Sequence, residues 1–124
     1  MMYGNHKFFL FFIIFLYSFN CFGELIEGKS ADFQILDKIT SKIKNLEIYV
    51  NNSESYGTLI IKVFACYKRP PEEIPENFVL IKIFDNIENS ENKIFQGWMI
   101  SSSPSASPFE HPIYDIWLKD CNID

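Results

Sequence analysis

The sequence predicts an all-β fold: a small antiparallel β-sandwich or partly open barrel of about six to seven strands, with one intradomain disulfide. Three observations lead there. Apolar residues recur with a period near two rather than the helical 3.6, polar turn clusters separate short apolar runs, and a single pair of cysteines lies in the part of the chain that reads as exported.

The N-terminus sets the address. After a short polar start, Phe8 to Phe19 reads FFLFFIIFLYSF without a charge. A membrane-spanning helix needs about 20 apolar residues, whereas the apolar core of a secretory signal peptide needs about 7–15. Cys21 and Gly23 supply small residues for cleavage before Glu24. Residues 1–23 are therefore read as a secretory signal peptide and residues 24–124 as a single β-domain, periplasmic or extracellular, touching the membrane only transiently through the signal peptide. An uncleaved anchor is the alternative. Lipidation at Cys21 is disfavoured because Phe19 and Asn20 stand where a lipoprotein signal wants a small residue. Removing Lys7 from the 11 basic residues leaves 10 against 16 acidic ones, a formal charge of −6. Such a domain has no phosphate-tracking basic stripe, so nucleic acid is not an expected partner, and neither is an anionic membrane surface.

Along the mature chain, Phe33 to Ile39 reads as a first strand and Ile43 to Val50 as a second. Asn51-Asn52-Ser53-Glu54-Ser55 reads as a turn cluster before Gly57. Thr58 to Tyr67 is apolar on both faces, Leu59, Ile61, Val63, Ala65 and Tyr67 against Ile60, Lys62, Phe64 and Cys66, which predicts a central strand. Phe78 to Phe84 follows, then a polar hairpin connection over Asp85 to Asn92. Ile94 to Ile100 is the next strand, with Gly97 suggesting a bulge or a close backbone approach. Ile113 to Cys121 closes the set, with Tyr114, Ile116 and Leu118 as its core face and Trp117 as the more exposed tryptophan.

Two connections, KRPPEEIPEN (68–77) and SSSPSASPFEHP (101–112), carry prolines that exclude them from interior strands. Cys66 and Cys121 remain beyond Gly23, and in an oxidising compartment such a pair closes. A disulfide spanning a loop of that length is worth roughly 4 kcal/mol in the chain-entropy treatment.

The blocks GTLIIKVFACYKRPPEEIPEN, IFQGWMISSSPS and EHPIYDIWLKDC resemble an envelope family of unknown function from proteobacteria of the alpha class. The resemblance covers residues 33–121 and implies an envelope-exposed protein. It brings no catalytic residues with it.

Glu110, His111 and Asp115 are the candidate catalytic residues, and His111 is the only histidine after residue 23. A general base needs an orienter and a nucleophile or water within about 2.6–3.2 Å. Ser101, Ser102, Ser103, Ser105 and Ser107 offer hydroxyls, but no GxSxG elbow presents them. Glu110 and His111 are accordingly expected to brace their loop through hydrogen bonds. No metal site is expected, since one histidine and two paired cysteines leave only carboxylates. Glu72, Glu73 and Glu76 could hold calcium loosely but read better as a solvated face beside Lys68 and Arg69. No cofactor is expected.

The binding candidates are Arg69, Pro70, Pro71, Glu72 and Glu73 in the first loop, with Trp98, His111 and Trp117 in the C-terminal third. Stiff proline loops lose little entropy on docking. The expectation is a non-enzymatic exported envelope protein that binds an envelope protein or cell-wall component through its proline-rich loops. The alternatives are a small hydrolase or peptidoglycan-active enzyme centred on His111, and a structural accessory subunit of an envelope complex.

Overall fold

The computed structural model describes residues 24–103 and 109–124, together with position 13. The expected signal segment, apart from that position, and the stretch 104–108 of the second proline-rich loop lie outside the described residues.

Eight strands run in chain order: β1 (Ile26–Glu27), β2 (Ser30–Asp37), β3 (Ile43–Tyr49), β4 (Ser53–Tyr56), β5 (Leu59–Lys68), β6 (Asn77–Ile87), β7 (Ser90–Ile100) and β8 (Tyr114–Asn122). They form two antiparallel sheets, an open sandwich rather than a closed barrel. The larger has the order β1-β5-β6-β7, with β4 pairing β5 on the edge that β1 also uses; the smaller has the order β3-β2-β8. β5 is central, as its two apolar faces require.

Alternation builds the core. β2 contributes Ala31, Phe33 and Ile35, β5 Leu59, Ile61 and Val63, β6 Val79, Ile81 and Ile83, and β8 Tyr114, Ile116 and Leu118. Turn chemistry follows the backbone angles. Ile87 pairs with Ser90 across Glu88 and Asn89, whose φ values are 53° and 61°, as a two-residue type I′ hairpin requires. The strands thus run on into the region read as an eight-residue polar connection. Ser53–Tyr56 is also a strand rather than part of a turn. Tyr56 pairs with Leu59 around Gly57, whose φ of 59° suits the first position of a II′ turn.

Strict alternation fails at three bulges. Phe64 on β5, Ile94 on β7 and Lys119 on β8 have no partner in their ladders. The β7 bulge therefore sits at Ile94, not at Gly97. An extra residue switches the parity of everything beyond it. Cys66 moves off the face of Lys62 and joins Leu59, Ile61 and Val63 inside, and Cys121 leaves the face of Trp117 to join Leu118. The two cysteines thereby meet as the Cys66–Cys121 disulfide, Cα–Cα 6.0 Å, pinning the larger sheet to the smaller.

The chain crosses between the sheets beside this bridge. The Gly28 N–H donates to the Cys66 carbonyl at 2.7 Å, and the Lys29 N–H donates to the Asn122 carbonyl at 2.7 Å. A Cβ at Gly28 would collide with the Cys121 Sγ. Gly28→Ala is therefore expected to lose about 1–3 kcal/mol through overpacking. Urea unfolding of the variant measures this, and an unchanged midpoint would refute the close approach.

Candidate functional site

The two proline-rich loops are joined by one carboxylate. In the first loop the Arg69 N–H donates to the Glu76 carbonyl at 3.1 Å and the Glu73 N–H to the Pro70 carbonyl at 3.0 Å, so the loop is closed on itself. At its end Glu76 is buried, not solvated with Glu72 and Glu73. Its Oε1 accepts the Ser101 hydroxyl at 2.8 Å, the Ser102 N–H at 3.0 Å and the Asn77 N–H at 3.2 Å, and its Oε2 accepts the Ser102 hydroxyl. Burial works to raise the Glu76 pKa. The hydroxyls of Ser102 and Ser101 and the N–H groups of Ser102 and Asn77 outweigh it and hold the carboxyl below its ordinary value.

Asn77 extends the network. Its Oδ1 accepts the Cys121 N–H at 3.1 Å, its N–H donates to the Ser101 hydroxyl at 3.1 Å, and its carbonyl accepts the Ser101 N–H at 3.0 Å. Loop one, loop two and the disulfide strand are thereby bonded together at one corner of the sandwich. Lys68, paired with Asp120 at 2.8 Å, adds a partly exposed tie at the same corner.

The second cluster surrounds His111, which is buried. Its Nδ1 accepts the Ile113 N–H at 3.0 Å and the Tyr114 N–H at 3.2 Å. That leaves the proton on Nε2, which donates to Asp85 Oδ2 at 2.7 Å. Both ring nitrogens are thus engaged inside the fold, and no lone pair is left to take a proton from a substrate. The His111 carbonyl accepts the Lys38 ammonium at 2.7 Å, and Lys38 also pairs with Asp115 at 3.3 Å. Glu110 is exposed. The three residues that adjoin in sequence therefore serve three separate ends: Glu110 faces solvent, Asp115 anchors Lys38, and His111 braces the entry to β8. They line an open cleft of about 580 Å³ with Lys38, Phe109 and Pro112.

Asp85 was not among the residues singled out from the sequence. Its signal was available: it shares the inward parity of Val79, Ile81 and Ile83, so alternation places a carboxylate in the core. The nearby Thr58 hydroxyl lowers its pKa, burial opposes, and His111 adds to the lowering. Its Oδ1 is buried without a hydrogen-bond partner of bonding geometry. Glu76, read from the sequence as solvated with Glu72 and Glu73, is buried instead because donors from a different loop compensate it.

The remaining binding candidates do not form one site. Arg69 lies over the Phe78 ring at 5.7 Å, and Trp98 packs against Tyr67 at 6.1 Å, both on the outer face of the larger sheet. Trp117 stands on the outer face of the smaller sheet, opposite Gln34. Trp98, 44% exposed, is the more open tryptophan, whereas Trp117 is half-buried. Pro71, Glu72 and Glu73 are exposed and Pro70 is half-buried. Among the described residues no group of three or more His, Cys, Asp or Glu is placed to hold a metal ion.

Comparison with known proteins agrees with the three sequence blocks. A family model described as "Uncharacterized protein conserved in bacteria (DUF2155)" matches residues 31–121. The chain is 38% identical over 87 residues to a protein of Rickettsia prowazekii (strain Madrid E) described as Uncharacterized protein RP359. That alignment covers 69% of this chain and 56% of the relative, so the chain spans little more than half of the relative's length. No solved structure matches.

Proposed function

The chain belongs to the DUF2155 family of bacterial proteins, and from that premise we propose that it is a non-enzymatic exported envelope protein whose proline-rich corner binds an envelope protein or cell-wall component. The Glu76 carboxylate carries this reading. It makes two loops of different origin a single stiff surface, and a surface already ordered before binding loses less entropy on docking. Arg69, Pro70, Pro71, Glu72 and Glu73 present that surface, while the buried Glu76, Ser101 and Asn77 hold it. The engagement of both His111 nitrogens supports the non-enzymatic reading, and the uncharged run Phe8–Phe19 ahead of Glu24 supports export.

Two variants separate binding from scaffold. An Arg69→Ala/Glu72→Ala/Glu73→Ala variant is expected to keep its melting temperature and to lose most in-cell crosslinking of the tagged chain to its partner. Glu76→Gln is expected to cost about 1.5–3 kcal/mol, the worth of hydrogen bonds to a charged group, and to weaken crosslinking by loosening the same surface. If the triple variant crosslinks as well as wild type, the corner is not the binding surface. Mass spectrometry of the protein isolated from cells tests export: Glu24 is the expected N-terminus, and an intact residue 1 would overturn cleavage.

A further inference from the structure

The outer face of the larger sheet carries a row of cations that lacks carboxylate partners among the described residues. Lys62 on β5 is directly opposite Lys82 on β6, and Lys82 is opposite Gln96 on β7. The Lys93 ammonium donates to the Gln96 side-chain carbonyl at 3.2 Å, which brings a third lysine to the row. Among the described residues the ion pairs belong to Lys38, Lys68 and His111, and none of these three lysines has a carboxylate partner. Like charges directly opposite on neighbouring strands destabilise a sheet, so the row opposes folding in a chain whose formal charge is −5.

Aromatic rings hold the row in place. The Lys62 ammonium lies 5.1 Å from the Phe64 ring centroid, and Lys82 lies 6.0 Å from Phe64 and 5.9 Å from Phe84. At such distances the ring quadrupole attracts the cation. The ammonium groups are therefore laid down on the sheet, where they have shed part of their entropy before any ligand arrives.

We propose that this face docks an extended acidic segment of a partner protein, with carboxylates spaced among apolar side chains. The charge complementarity is local: within a Debye length of about 8 Å a short acidic segment meets the lysine row rather than the net negative charge of the whole chain. The row crosses two inter-strand gaps, about 10 Å, and carboxylates at alternate positions of an extended chain share one face about 6.6 Å apart, so flexible glutamate and lysine side chains can bring neighbouring carboxylates over the row. Phe64, Phe84 and Ile60 lie half-buried beside the lysines and offer an apolar floor to the aliphatic stems of the acidic side chains. An anionic bilayer would instead meet the field of the whole acidic chain. The proposal does not depend on the loop corner, because Lys62 and Lys82 lie outside both loops.

The test uses the protein as isolated from cells with three probes: a labelled (Glu-Val)4 peptide, its (Gln-Val)4 counterpart, and phosphatidylglycerol vesicles. The (Glu-Val)4 peptide should bind about tenfold or more tightly than (Gln-Val)4, with affinity falling as salt rises. Lys82→Glu should abolish that preference while keeping or raising the melting temperature, since it places a carboxylate opposite Lys62. A purely structural role for the row predicts the opposite, a loss of stability. Equal binding of the two peptides, no binding of (Glu-Val)4, retention of the preference in Lys82→Glu, or binding of vesicles in place of peptide would each overturn the proposal.

Discussion

Replacing both Cys66 and Cys121 by alanine is expected to lower the unfolding free energy by about 4 kcal/mol and the melting temperature by on the order of 20 °C. The bridge spans 55 residues, and in the chain-entropy treatment a loop of that length holds back a large part of the freedom of the unfolded chain. A domain of this size has only about 5–15 kcal/mol in total. The location adds to the effect, because both sulfurs lie in the core and connect β5 of one sheet to β8 of the other. Thermal unfolding with and without reductant measures the loss. Thiol titration of the unreduced protein should find neither Cys66 nor Cys121 reactive, and a melt insensitive to reductant would show that the bridge is dispensable.

His111→Ala should cost about 3 kcal/mol. The substitution strands the buried Asp85 carboxylate, which loses the Nε2–H donor, and a hydrogen bond to a charged group is worth about 1.5–3 kcal/mol. It also leaves the N–H groups of Ile113 and Tyr114 without their acceptor. A catalytic histidine would behave differently, losing activity with stability nearly intact. The pH dependence gives a second measurement. Asp85 titrates below its unfolded value of about 3.9, lowered by Thr58 and His111 against the effect of burial. Its contribution is thus fully present above that unfolded value and is lost as pH falls through the lower folded one. Glu76, also lowered, acts in the same direction. Wild type should therefore lose stability as pH falls through about 4 and below, and Asp85→Asn should lose less over the same interval. Equal losses in the two proteins would remove Asp85 from the acid response.

The strands were legible in sequence because alternation is a local property. Leu59, Ile61 and Val63, or Val79, Ile81 and Ile83, mark a buried face wherever their partners lie. The disulfide was legible because the two cysteines beyond residue 23 allow one pairing. Family membership was legible in blocks such as CYKRPPEEIPEN and GWMISSSP. The serine cluster of the second loop was visible too, but its role was not. Ser101 and Ser102 are donors to a carboxylate 25 and 26 residues away, and nothing in either stretch alone identifies the other.

What the sequence by itself determined is the fold class, the central place of Thr58 to Tyr67, the core face of β8 and the Cys66–Cys121 pair. Each rests on side-chain period or on composition. Tertiary structure alone decided which way the cysteines point, that Glu76 is buried and which lysines face one another. The bulges at Phe64 and Lys119 turn both cysteines inward, and a bulge is set by register against a partner strand rather than by local preference. Glu76 and Asp85 are interior because donors from distant segments compensate their desolvation. Lys62 meets Lys82 because β5 and β6 pair in one register, and shifting it by one residue would send each to the other face.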